Sequence, residues 1–333
     1  MILAFVEHDR GTVEEGSFEA LTLGRRLAER LSVPLHALVV GDGARPLAAR
    51  AAAFGATATH VAVHARLDGY APEAWAACLA DRIGSLGPLA VLAAATDRGN
   101  EILAHAAARS GLPMAANCIR VEPGEPGDPA DPSTPWTLTR LQWGGSLLEE
   151  ARLSGGVKLF TVAPHVVAAE PVASPAGHQV LPFEPVLDER DLRARVTATV
   201  EAPAGKISLP AARVVVGGGR GVGSAAGFAA LEELADLLGG AVGCSRVVTS
   251  LAWRPHADQV GQTGTRIAPD LYIACGISGA IQHMVGCKGA KHLLAINTDP
   301  DAPIMAKAEY AVIGDVQEVL AALNAALHAT ARG

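Results

Sequence analysis

Aromatic residues make up only 4% of this 333-residue chain, and Lys plus Arg (27) are outnumbered by Asp plus Glu (34). A net charge of −7 with so few rings excludes the basic, ring-studded surface that holds nucleic acid. Cysteine is scarce as well. Cys78, Cys118, Cys244, Cys275 and Cys287 form no C-x-x-C pair and sit mostly in apolar runs, so small buried thiols are expected, not a disulfide framework. His60 and His64 fall on one strand face with no third ligand beside them, which argues against a metal site. No apolar run approaches bilayer length. The first residues, MILAFVE, lack the charged leader and long apolar core of a signal peptide and read as a strand. These absences lead to the expectation of a cytoplasmic protein without direct membrane insertion.

What is present is an α/β chain. Half of the residues are apolar and 18% charged, enough for two cores. From the opening strand, helical pattern occupies 15–30, strand 35–40, helix 46–54, strand 60–63, helix 72–85, strand 89–94 and helix 100–109. This alternation predicts a doubly wound fold. The sequence TDRGNE at 96–101 reads as a capped helix start. After Gly111 the character becomes β, with strands at 115–121, 136–141 and 156–162 around a Pro/Gly/Asp loop at 123–135. Three regions follow: an N-terminal α/β domain at 1–163, a Pro- and Ala-rich linker and domain entrance at 164–208, and a C-terminal domain at 209–333. The last carries strands at 212–216, 270–276, 291–297 and 310–314 and a closing helix at 315–328.

The densest information lies in QVGQTGTRIAPDLYIACGISGAIQH, 259–283, where two loops of small and polar residues bracket one buried strand. The glycines of the first loop allow close backbone approach, and its amides and hydroxyl supply polar contacts. In the second, Ser278 is expected to cap a helix whose free N–H groups attract an anion. Upstream, ARVVV at 212–216 runs into GGGRGVGS at 217–224. Gly221, Gly223 and Ala226 match a dinucleotide fingerprint, yet some 20 residues on, where NAD needs an acidic residue for its ribose, the chain offers Arg246. A stand-alone NAD(P)-dependent oxidoreductase therefore remains an alternative with its ribose carboxylate missing. The first half alone would also suit a nucleotide-sensing module.

The order GGGRG (217–221), SR (245–246), QVGQTG (259–264), GISGAIQH (276–283), AINTDPDAPI (295–304) and GD (314–315) resembles the C-terminal FAD domain of the electron transfer flavoprotein alpha subunit, in register over 210–330. Over 1–163 the resemblance is one of architecture. It implies two Rossmann-like parallel-sheet domains, the C-terminal one FAD-binding. It also implies an electron carrier without a small-molecule substrate of its own, paired with an electron transfer flavoprotein beta subunit. Flavin dehydrogenases, as in fatty acid beta-oxidation, would be the donors and a downstream oxidoreductase the acceptor. The implied FAD contacts are Arg220, Ser245, Arg246, Val260, Gly261, Gln262, Thr263, Ser278, Gly279, Ala280, Ile281, Gln282, His283, Asn297, Asp315 and Val316. In this pattern Arg220 suits pyrophosphate, and Thr263 donates to the flavin N5 edge. Arg246 is a fixed charge favouring the reduced anion, and His283 stands near the pyrimidine carbonyl. The chain departs from the family between SR and QVGQTG, where Ser250 and Ala252 replace an aspartate and a glycine.

Overall fold

The computed structural model describes residues 1–67, 69–124, 131, 134–145, 147–173, 177–196 and 207–330. Most of the loop expected at 123–135, and residues 197–206 of the expected linker, lie outside the described residues. The chain divides into two units, Met1–Thr199 and Val200–Gly333.

In the first unit the elements follow as β1 (Ile2–Phe5), a small hairpin of β2 (His8–Asp9) and β3 (Thr12–Val13), α1 (Glu15–Leu31), β4 (Leu35–Val40), α2 (Ala48–Ala53), β5 (Ala58–Ala62), α3 (Pro72–Leu86), β6 (Ala90–Ala94) and α4 (Asp97–Ser110). Then come β7 (Met114–Glu122), β8 (Trp136–Gln142), β9 (Leu147–Leu153), β10 (Lys158–Val162) and β11 (Gln179–Phe183). They build a nine-stranded sheet in the order β11-β5-β4-β1-β6-β10-β7-β8-β9, parallel except where β8 pairs with β7 and β9. Successive residues of β1 serve opposite layers. Ile2 and Ala4 pack with Phe18 and Leu21 of α1, while Leu3 and Phe5 pack with Trp75 and Leu79 of α3 and Ile102 of α4. Burial on both faces is why these strands read as unbroken apolar runs.

Three local details bear on the sequence reading. The Thr96 side chain caps α4, its hydroxyl oxygen accepting from the Gly99 N–H at 2.8 Å, as the reading of 96–101 expects. The helix expected at 46–54 instead opens as a 3-10 turn over Asp42–Leu47 that holds Pro46, whose ring nitrogen has no proton to give an α-helical ladder. Within the stretch expected to be linker, β11 pairs in parallel with β5 from Gln179↔Ala58 to Phe183↔Ala62. As an edge strand with mostly exposed side chains and Pro182 in its middle, it carries no apolar periodicity to betray it.

The second unit runs β12 (Val214–Gly218), α5 (Phe228–Leu237), β13 (Ala241–Cys244), α6 (Arg246–Ser250), β14 (Leu271–Cys275), α7 (Ile281–Cys287), β15 (His292–Asn297), β16 (Tyr310–Ile313) and α8 (Val316–Thr330). Its five strands are all parallel, ordered β13-β12-β14-β15-β16. One face of the sheet packs Val216 and Ile273 with Phe228 and Leu231 of α5 and Leu320 of α8. On the other, Tyr272 and Ala274 pack with Cys287 of α7 and Ile304. From β12 the chain winds outward to β13 and then returns to β14 on the other side. The switch point of the sheet thus lies between β12 and β14, and ligands of such sheets bind outside the carboxyl ends of the strands there.

Candidate functional site

A cavity of about 550 Å³ opens at those carboxyl ends, a size ordinary for a cofactor site. Its wall is contributed by residues at the carboxyl ends of four strands: Arg220 and Gly221 after β12, Ser245 to Val247 after β13, Gly276 to Ser278 after β14, and Asn297 at the end of β15 with Asp299 beyond it. The loop at 259–263 and Ala280, Gln282 and His283 at the start of α7 close it.

The glycines are there because two loops press backbone on backbone. The Gly219 N–H donates to the Cys275 carbonyl at 2.8 Å, and the Gly221 N–H to the Gly276 carbonyl at 3.1 Å. A Cβ at Gly219 would stand 2.2 Å from the Gly276 carbonyl oxygen, and one at Gly221 2.7 Å from the Gly276 Cα. Only glycine permits that approach. The 259–264 loop is held against α7 in the same way, the Gln262 N–H donating to the Gln282 carbonyl at 2.7 Å.

Side chains then brace the wall. Gln259, 2% exposed, receives the Thr249 hydroxyl at 2.7 Å on Oε1 and donates from Nε2 to Thr263 Oγ1 at 3.0 Å. Asn297 donates from Nδ2 to the Ile277 carbonyl at 3.0 Å and fixes the loop after β14. His283 Nε2 lies 2.8 Å from the Tyr272 hydroxyl. Burial, the larger effect, pushes the His283 pKa down to about 4 against an opposing contribution from the Val260 backbone, so the ring is neutral at pH 7.

Ser245 Oγ and His283 Nδ1 are buried polar atoms with no hydrogen-bond partner. Such atoms are rare in a folded protein, and both sit on residues that line the cavity. Among the described residues neither Arg220 nor Arg246 forms an ion pair, whereas Arg254 is held by Glu232 and Asp258. A glycine-walled cavity with two unpaired guanidiniums and two unsatisfied polar atoms fits a large ligand with phosphates and a polar ring.

Of the residues carried over from the sequence, Arg220, Ser245, Arg246, Val260, Gly261, Gln262, Thr263, Ser278, Ala280, Gln282, His283 and Asn297 are gathered on this wall. Gly279, Ile281, Asp315 and Val316 are not among the lining residues. Asp315 instead caps α8, its Oδ1 accepting from the N–H groups of Gln317 at 2.9 Å and Glu318 at 3.2 Å. Val316 is buried in the core. From the same helix, Gln317 Nε2 donates to the Val222 carbonyl of the glycine loop at 3.1 Å. The expected Ser278 cap is corrected too: α7 begins at Ile281 after Ala280, without a side-chain cap. Gly279 adopts φ +80, a left-handed conformation that no right-handed helix can include, so the helix starts beyond it. Sequence reasoning missed Gln259, although it begins the QVGQTG motif, and it took Tyr272 for part of an apolar strand.

The family model described as the electron transfer flavoprotein FAD-binding domain matches residues 208–288, and that of the electron transfer flavoprotein domain matches 2–185. The chain is 39% identical to an electron transfer flavoprotein subunit alpha of Mycobacterium tuberculosis, covering 98% of each chain. It is 32% identical to the subunit of that name from Thermoanaerobacterium thermosaccharolyticum, covering 97% of this chain and 96% of the relative. Protein FixB of Clostridium saccharobutylicum is 36% identical, over 97% of this chain and 95% of that one. Fold, cavity and relatives together define an FAD-binding electron carrier. The chain belongs to the electron transfer flavoprotein alpha-subunit family.

Proposed function

We propose that this chain is the FAD-carrying half of a cytoplasmic heterodimer with an electron transfer flavoprotein beta subunit. It receives electrons from flavin dehydrogenases, those of fatty acid beta-oxidation among them, and passes them to a downstream oxidoreductase. The observation that carries this reading is the cavity itself: unpaired cationic and polar groups converge at the switch point, in the domain of FAD-binding family type.

When bound, FAD supplies one- and two-electron redox chemistry. The chain's own residues hold and tune it. Arg220, at the glycine loop, anchors the phosphates. Arg246, at the start of α6, supplies a fixed positive charge that favours an anionic ring. Gln259 holds Thr263 in place, so that the Thr263 hydroxyl meets the ligand in a set orientation. Tight binding of oxidised and reduced states alike comes from the phosphate side, and discrimination between them from Arg246, Thr263 and His283.

The first unit bears on the partner. It folds a nine-stranded sheet, and the beta subunit is the occupant proposed for its exposed surface. Co-expression with a beta subunit encoded nearby is expected to give a 1:1 complex by size-exclusion chromatography with light scattering, retaining FAD better than the isolated chain. A chain that stays monomeric or homodimeric in the presence of the beta subunit and shuttles electrons unaided refutes the heterodimer.

A further inference from the structure

Tyr272, the second residue of β14, is 0% exposed, and its hydroxyl makes one hydrogen bond among the described residues, to His283 Nε2 at 2.8 Å. Space for that phenol is reserved by Gly217 in the neighbouring strand β12, where a Cβ would stand 2.3 Å from the Tyr272 oxygen. The first glycine of the loop sequence thus serves the tyrosine rather than the turn.

The pair admits two proton arrangements, and the surroundings choose between them. If Nε2 carried the proton, the phenol oxygen would accept it and its own O–H would point into the core without an acceptor. A buried donor so stranded costs its full desolvation. If the phenol donates to Nε2, that conflict vanishes. Nδ1 then carries the hydrogen, and it is the one polar atom of the pair with no protein partner, on a side chain 7% exposed that lines the cavity.

We propose that Tyr272 is a positioning residue: by donating to Nε2 it fixes His283 as the neutral Nδ1–H tautomer and presents that N–H as a fixed donor for an acceptor oxygen of the bound cofactor. The imidazole then offers the flavin a dipole and not a cation, and the fixed positive charge at the cavity is left to the arginines. The role rests on the reading of the cavity as the FAD site, but the tautomer does not.

Nitrogen NMR of the full chain labelled with ¹⁵N-histidine tests it, since a protonated ring nitrogen and a bare one resonate far apart; His283→Gln identifies the signals. The wild-type protein is expected to show a protonated Nδ1 and a bare Nε2, both before FAD is added and with FAD bound. Tyr272→Phe, which removes only the hydroxyl, is expected to convert the ring to a tautomer mixture and to weaken FAD binding severalfold. A wild-type ring protonated on Nε2 overturns the proposal, as does a Tyr272→Phe ring whose tautomer is unchanged. Should the phenylalanine variant fail to fold, the wild-type spectrum still decides the tautomer, and a wild-type ring protonated on Nε2 still overturns the assignment. A protein with the expected tautomer that takes up no FAD would instead sink the cavity reading and leave the Tyr272 contact standing.

Discussion

Acidification from pH 7 to pH 4.5 is expected to weaken the second unit through the buried side chain of His283. Burial lowers its pKa from the ordinary 6.5 to about 4. Between those values the unfolded chain binds a proton that the folded one refuses. Stability is therefore full above pH 6.5 and falls as the pH drops toward 4. The slope approaches about 1.4 kcal/mol per pH unit, and integrated from pH 7 to 4.5 the loss comes to about 2.5 kcal/mol. Carboxylates that this unit holds low act elsewhere on the scale. Glu233, bonded to His328 and Asn324, and Asp270, bonded to Lys291 and Arg213, give up their contributions only below their ordinary values of 4.5 and 3.8. The contribution of His283 thus falls in the window from pH 6.5 to 5, above the range of these carboxylates.

Hydrogen exchange read by mass spectrometry resolves the units, because peptides from β12 and β14 report on the second and peptides from β1 and β6 on the first. Opening free energies, corrected for the intrinsic pH dependence of exchange, should fall in β12 and β14 of the wild-type protein across this window and stay flat in His283→Gln. The first unit supplies an internal comparison. His60, buried beside His36 and also held at about 4, gives it an acid limb of its own that His283→Gln leaves in place. A β12–β14 slope identical in wild type and variant would refute the reasoning, as would a wild-type slope of zero.

Two substitutions separate tuning from anchoring. Arg246→Ala is expected to lower the first one-electron potential of bound FAD by tens of millivolts. A unit charge about 4 Å away at an effective dielectric of about 20 is worth about 4 kcal/mol, and ~1.4 kcal/mol corresponds to 59 mV, before solvent screening at this exposed residue reduces the effect. An unchanged redox titration in a folded, FAD-replete variant would contradict the assigned role. Arg220→Ala should weaken FAD binding by about 1.5 to 3 kcal/mol, the worth of a hydrogen bond to a charged group, with the potential nearly unchanged. Equilibrium titration with FAD measures the first quantity and spectroelectrochemistry the second; a large potential shift at full affinity would place Arg220 beside the ring instead.

The chain's sequence by itself determined the family, the FAD domain and most of the cavity wall, because the wall is built from contiguous loops. GGGRG, QVGQTG and GISGAIQH each follow or precede a strand that reads as a short apolar run, and a parallel sheet delivers such strand ends to one edge whatever the details of packing. Glycine spacing was legible for the same reason: the close approach of Gly219 and Gly221 to Gly276 leaves no room for any other residue. Tertiary structure alone decided the contacts between loops. Strand register and helix placement put Tyr272 against His283, Gln259 between Thr249 and Thr263, and Gln317 against the glycine loop. Apart from Gln259 and Thr263, four residues apart in one loop, none of these pairs has a sequence spacing that a local rule would read. β11 was hidden because an exposed edge strand buries too little to leave a pattern, and the start of α7 was misplaced because Ser278 has the chemistry of a cap while Gly279, at φ +80, denies it the geometry. Residue type records what a side chain can do, whereas the register of β12 on β14 and the turn at Gly279 settle which partner it meets.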